Sequence, residues 1–208
     1  MRRLISGKQL LLWALTIASP AFAESNLGNL NLDCAKAVQG GDVVKATEIC
    51  LIAVQAGQRL ALETLQYAAS LNNLGALYYQ QGKYDKSADM FEQALPVLEK
   101  VTGSNSQNMA AALNNLASVY RQQDLLTKAE PLYRQALPIW QKEVGPNSPP
   151  VAATLNNLAK IYSQQGDYAK AESFYKETVT VLEKMTDPNS AAMKEARSML
   201  LNMQQKLK

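Results

Sequence analysis

The chain of 208 residues carries 21 basic and 18 acidic residues, two cysteines and no histidine. The absent imidazole excludes Ser-His-Asp hydrolysis, Cys-His proteolysis and the common zinc ligand sets, which need that ring near neutral pH. With no Gly-rich phosphate loop either, the expectation is a non-enzyme with no catalytic residue, no metal and no cofactor.

The N-terminus reads as an export signal. A basic start, MRRLISGKQ, precedes an apolar run over residues 10–18 and then SPAFA, with small residues alternating up to Ala23. That three-part layout predicts a signal peptide over residues 1–23, cleaved between Ala23 and Glu24. The apolar run is far shorter than the roughly 20 residues that span a bilayer, and no cysteine stands at the cleavage point for lipid attachment. The expected mature chain therefore has no membrane span, and its expected destination is a bacterial periplasm. Cleavage removes Arg2, Arg3 and Lys8, which leaves 18 basic residues against 18 acidic. The pI near 8.8 belongs to the precursor, and no basic stripe points to nucleic acid.

Next comes a divergent helical unit, residues 24–67. QGGDVVKATEICLIAV aligns on QQGKYDKSADMFEQAL further along, setting Ala46 on Ser87, Cys50 on Phe91 and Ala53 on Ala94. A first helix is expected over residues 30–39, and AGQRLALETLQYAAS is expected to be helical up to the next unit. Cys34 and Cys50 then fall on the two helices of one hairpin, within bridging reach. A disulfide there would stabilise by about 3 kcal/mol in the chain-entropy picture; two buried free thiols are the alternative.

Three units follow, assigned to residues 68–109, 110–151 and 152–189. LNNL recurs at Leu71, Leu113 and Leu155, 42 residues apart both times. A fixed period of this size means stacked supersecondary units, none able to bury its apolar face alone. Spacing inside each unit is helical: Leu113, Leu116, Ala117 and Tyr120 form one stripe, and Ala129, Leu132, Tyr133, Ala136 and Leu137 another. Gly82 and Gly166 separate the stripes, while TGSNS, GPNSPP and TDPNS separate the units. Small residues at Gly75, Ala117 and Ala159, and at Ser87, Ala129 and Ala171, alternate with bulky Phe91, Tyr133 and Tyr175, a pattern that lets helix axes approach. The chain ends in SAAMKEARSMLLNMQQKLK, residues 190–208, a lone amphipathic helix suited to cap the stack. Its Met193, Met199 and Met203 are also a candidate partner surface. The repeated Gln pairs that close each first helix are expected to be solvated.

The leucine, small residue, tyrosine pattern followed by alanine, aromatic, alanine resembles the tetratricopeptide repeat. The 42-residue length, the LNNL start, KAEPLYRQAL and GPNSPPVA resemble the longer variant of kinesin light chains and related bacterial proteins. Asp124, in place of a turn glycine, and Thr178, in place of the alanine seen at Ala94 and Ala136, depart from the pattern. The resemblance implies an all-α fold, a right-handed superhelical solenoid of antiparallel helix pairs with a C-terminal capping helix, and a concave groove that holds peptide segments.

The paired asparagines are the candidate contacts. Asn72 and Asn73, Asn114 and Asn115, and Asn156 and Asn157 flank the leucine stripe of each first helix. An asparagine amide offers the donor and acceptor of a peptide group, so a ladder of them suits the main chain of an extended partner segment. The second of each pair best matches the groove; the first could equally fix linker backbone and the angle between units. Arg121, Lys160 and Tyr79 are expected on the same face, where a partner with some acidic character would fit. The expected function is thus an exported, non-catalytic adaptor or assembly module for a protein or peptide, as monomer or homodimer. The alternative is a structural protein that self-associates through its C-terminal helix.

Overall fold

The computed structural model describes residues 20–185 and 190–208, and of the expected leader, residues 1–23, all up to residue 19 lies outside the described residues. Among the described residues there are nine helices and no strands: α1 (Pro20–Gln39), α2 (Val43–Arg59), α3 (Leu65–Gln80), α4 (Tyr84–Thr102), α5 (Gln107–Gln122), α6 (Leu126–Glu143), α7 (Pro149–Gln165), α8 (Tyr168–Glu183) and α9 (Ala191–Lys206). They pack as consecutive pairs, α1 with α2, α3 with α4, α5 with α6 and α7 with α8, while α9 lies on α8. The chain divides into two compact units, Met1–Ser104 and Asn105–Lys208.

Local chemistry sets the helix ends. Thr64, Ser106 and Ser190 each accept the backbone N–H of the residue three further on, opening α3, α5 and α9; Asp42 and Asp167 do the same for α2 and α8. Inside all four hairpins the turn takes a left-handed residue. Gly41, Gly82 and Gly166 supply it with φ of 77°, 70° and 80°, and Asp124 takes it with φ 60°. Aspartate tolerates that region better than most residues but less well than glycine, so the departure seen in the sequence alters the cost of the turn and not its shape.

Two boundaries differ from the sequence expectation. The first helix starts at Pro20 and not near Leu30, because Leu27, seven residues before Cys34 on the same stripe, is itself fully buried. The stretch AGQRLALETLQYAAS is not one helix: α2 ends at Arg59, Ala61 turns with φ 47°, and Thr64 caps a new helix. Gly57 and Tyr67, either side of this break, meet so closely that a Cβ at position 57 would collide with the Tyr67 ring.

One contact recurs inside every hairpin with different chemistry. A small residue on the first helix meets a large one on the second: Ala117 and Tyr133 belong to one core cluster, Ala159 and Tyr175 to the next. In the α3–α4 pair the same places hold Gly75 and Phe91, and a Cβ added to Gly75 would lie 2.9 Å from Cζ of Phe91. In the α1–α2 pair they hold Cys34 and Cys50, joined by a disulfide with Cα atoms 4.7 Å apart, both cysteines fully buried. A covalent bond thus stands where an aromatic ring fills the groove elsewhere. Ser87, fully buried, donates to the Gly75 carbonyl at 2.8 Å, whereas Ala129 and Ala171 leave the equivalent place apolar.

A second repeated contact escaped the sequence reading. Lys86 lies over the Tyr78 ring, Lys128 over Tyr120 and Lys170 over Tyr162, at 5.8, 5.3 and 5.1 Å from the centroids. Each clasp spans the turn of its hairpin and contributes about 0.5–1 kcal/mol at such exposed sites.

Helix α9 buries Met193 and Met203, and Met199 and Leu200 pack against the cluster of Ala159, Tyr162, Ala171 and Tyr175. Its methionines therefore line the seam with the preceding pair, Met193 and Met203 fully and Met199 in part. The outward residues are mostly polar, and Lys160–Glu195 (3.1 Å) and Arg197–Glu183 (3.2 Å) tie the helix at its edges. This is the amphipathic covering a stacked array requires at its end.

Candidate functional site

Within the second unit the two asparagines of each pair take different roles, and helix geometry explains why. Neighbouring residues on a helix point about 100° apart, so one can turn toward the next hairpin while the other turns to solvent. Asn114 on α5 reaches Thr154 on α7: its Nδ2 donates to the Thr154 hydroxyl at 2.8 Å, and that hydroxyl donates to the Pro150 carbonyl at 2.7 Å. Thr154 is fully buried, so the pair fixes α5 against α7. The first unit repeats the device, with the Ser70 hydroxyl on α3 donating to Oδ1 of Asn31 on α1 at 3.1 Å.

Where the hydroxyl is missing, the amide is left short of a partner. Oδ1 of Asn156 is buried without a hydrogen bond, and Ala196 occupies the place on α9 that Thr154 holds on α7. Oδ1 of Asn72 is likewise buried without a hydrogen bond.

Asn115, by contrast, is exposed, and Asn73 and Asn157 are half-buried. Ser118, one turn after Asn114, is already committed: its hydroxyl lies 2.7 Å from the Tyr133 hydroxyl and 2.9 Å from the Asn114 carbonyl. Tyr79 packs edge-on against Tyr84, with centroids 5.6 Å apart.

The two candidate cations differ from a free positive stripe. Lys160 is held by Glu195, 3.1 Å away on α9, so its charge is already matched. Arg121 is half-buried with Nε enclosed and unbonded. Burial pushes the Tyr175 hydroxyl up to about 12; the Glu195 carboxylate adds to the rise and Arg121 opposes it. The glutamines are not uniformly solvated: Gln81 is half-buried, and its Nε2 donates to Thr47 Oγ1 on α2 at 2.7 Å.

A polar clasp gathers α6, α7 and α8. The Tyr162 hydroxyl donates to Glu130, Arg134 Nη2 donates to that hydroxyl at 2.5 Å, and Arg134 Nε donates to Glu130 at 2.8 Å. Phe174 stacks on Tyr162 with centroids 5.5 Å apart, and the Arg134 guanidinium lies over both rings. Burial works to raise the Glu130 carboxyl, but the hydrogen bonds from Tyr162 and Arg134 outweigh it and hold the group below its ordinary value. Burial and the Glu130 partner together raise Tyr162.

Among the described residues no cluster of acidic or sulfur side chains could hold a metal ion, and no helix is long and apolar enough to cross a membrane.

Comparison with known proteins bears on the fold. The family model described as tetratricopeptide repeat matches residues 38–100 and 108–184. BtubC (BKLC) from P. vanneervenii superposes with a TM-score of 0.76 at 21% identity, over 97% of this chain and 85% of that one. A putative kinesin light chain from Podosopora anserina with nearly identical TPR-like repeats gives 0.72 at 21% identity, over 88% and 87%, and a point variant of that protein gives 0.74 over the same shares. No curated protein sequence matches the chain. The helix pairs, their 42-residue period and the family match agree, and this chain belongs to the tetratricopeptide repeat family.

Proposed function

We propose that the chain is an exported, non-catalytic adaptor that holds an extended segment of a partner protein on the face of the second unit that carries Asn115 and Asn157, with Asn73 as the corresponding amide of the first unit. The fold points to a protein–protein interaction module, in a family that is generally non-catalytic. The observation that carries the finer reading is the split between Asn114 and Asn115. The first is used up between α5 and α7, and the second is left facing solvent. An exposed amide at this point does no packing work that a lysine or glutamate would not do. It can, however, meet both the N–H and the carbonyl of a partner main chain. Asn114 then holds the neighbouring hairpins in place behind it.

The disulfide between Cys34 and Cys50 is compatible with export, since such bonds persist in oxidising compartments. The three-part N-terminal sequence supports the same reading. With Lys160 matched by Glu195, Arg121 is the cation that would favour acidic character in the partner.

Affinity capture from envelope extracts tests the proposal, comparing the wild type with Asn115→Ala/Asn157→Ala. The double variant should lose the captured protein while melting within about 1 °C of wild type. Retained capture together with a large fall in melting temperature would show these amides to be architectural.

A further inference from the structure

The second unit contains a cavity of about 340 Å³ between α7, α8 and α9, and its lining is small and apolar. Pro149 and Ala152 border it from α7, Leu182 from α8 and Met185 from just beyond it, and Ala192 and Ala196 from α9. The volume falls in the range of small-molecule sites, which pair a mostly apolar wall with few polar groups.

The cavity has an origin in the repeat. One period earlier, the residue in the place of Leu182 is Trp140 on α6, which is nine-tenths buried. In the same comparison Ala196 replaces Thr154. A bulky bicyclic ring and a hydroxyl have both been exchanged for smaller groups while the 42-residue period is kept. A leucine thus stands beside the cavity where the preceding repeat carries a largely buried tryptophan.

Of the polar groups around the cavity, Oδ1 of Asn156 is buried without a hydrogen bond and could accept from a ligand N–H, while the others are committed. Thr178 donates to the Phe174 carbonyl at 2.8 Å, and Glu195 at the rim is paired with Lys160. A charged ligand would have to shed water with no opposite charge to receive it, and an anion would also meet Glu195. Open-mouthed pockets with a mostly apolar wall take up small uncharged molecules.

We propose that this cavity binds a small, uncharged, planar aromatic molecule about the size of indole. It is separate from the Asn115 face, and it does not rest on the adaptor reading.

Titration of indole into purified protein with ¹³C-labelled methionine methyls tests it. The Met185 methyl should shift saturably with a dissociation constant of about 1 mM or tighter, while Met90 and Met109 stay still. Indole-3-acetate should bind at least about tenfold more weakly, for the charge reason above. Leu182→Trp restores the residue of the preceding junction and should abolish the Met185 shift in a protein that still melts cooperatively. Should that variant fail to fold, Ala192→Leu, at the exposed rim, should weaken indole binding at least about fivefold. An unshifted Met185 at about 5 mM indole in the folded wild type, or equal binding by a folded Leu182→Trp protein, overturns the proposal.

Discussion

In the first compact unit the α1–α2 hairpin closes on a disulfide, and the α3–α4 hairpin closes on a glycine pressed against Phe91. In the second, both hairpins close on alanine against a buried tyrosine, and a charged clasp of Glu130, Arg134 and Tyr162 joins them in addition to the amide–hydroxyl link that both units use. The backbone task is the same in all four. The difference shows that a helix pair can be held by covalent closure and close backbone approach, or by ring packing and shared protons. The two solutions should fail under different insults.

The largest separation comes from the cysteines. Replacing Cys34 and Cys50 with serine, or reducing the bond in a denaturant series, should cost the first unit about 3 kcal/mol, since the closed loop spans 16 residues. In protein lacking residues 1–23, Trp140 is the only tryptophan and lies in the second unit. Its fluorescence transition should stay in place while helical circular dichroism is lost at lower denaturant. A joint shift of both signals would break the comparison.

Gly75→Ala comes next. Alanine is the better helix former and is native at Ala117 and Ala159, yet at position 75 the new Cβ meets Phe91 at 2.9 Å. We expect a loss of about 1–3 kcal/mol, the usual cost of overpacking, read from urea midpoints. Relief in the double variant Gly75→Ala/Phe91→Leu would place the strain where the distance puts it.

The second unit should respond to acid through Glu130. Its carboxyl is held below the ordinary value, so its contribution is fully present above the unfolded value near 4.5. That contribution disappears as pH falls through the lowered folded value. Glu130→Gln should therefore flatten the pH dependence of second-unit stability below about pH 4.5 and cost about 1 kcal/mol at neutral pH. The cysteine variants should leave that profile unchanged. At the small end, Ala196→Ser supplies a hydroxyl near the buried Oδ1 of Asn156. It should stabilise by about 0.5–1 kcal/mol, seen as a rise in thermal midpoint.

The sequence carried the architecture because a 42-residue period and turn residues leave few alternatives, and aligning one hairpin on another put Cys34 and Cys50 within bridging reach, with free thiols left open until the fold showed the bond. It did not carry the ends. Leu27 extends α1 because it is buried in three dimensions, and Thr64 breaks a stretch whose composition alone reads as helical. The site was half legible. The asparagines announced themselves by repetition, but whether the inward one of each pair finds a hydrogen bond depends on where a threonine or serine stands about 40 residues later. Lys160 looked like a free charge because its partner, Glu195, lies on a different helix. The lysine–tyrosine clasps were present in the letters at a constant spacing and went unread, since cation–ring contacts have no strong local signature.

The division of labour within each asparagine pair is tested most directly by one paired experiment: Asn114→Ala and Asn115→Ala compared side by side for thermal midpoint and for retention of the captured partner. We predict that Asn114→Ala lowers stability by about 1 kcal/mol, and that Asn115→Ala leaves stability alone and weakens retention. The reverse assignment, with Asn115→Ala destabilising and retention undisturbed, would contradict the account.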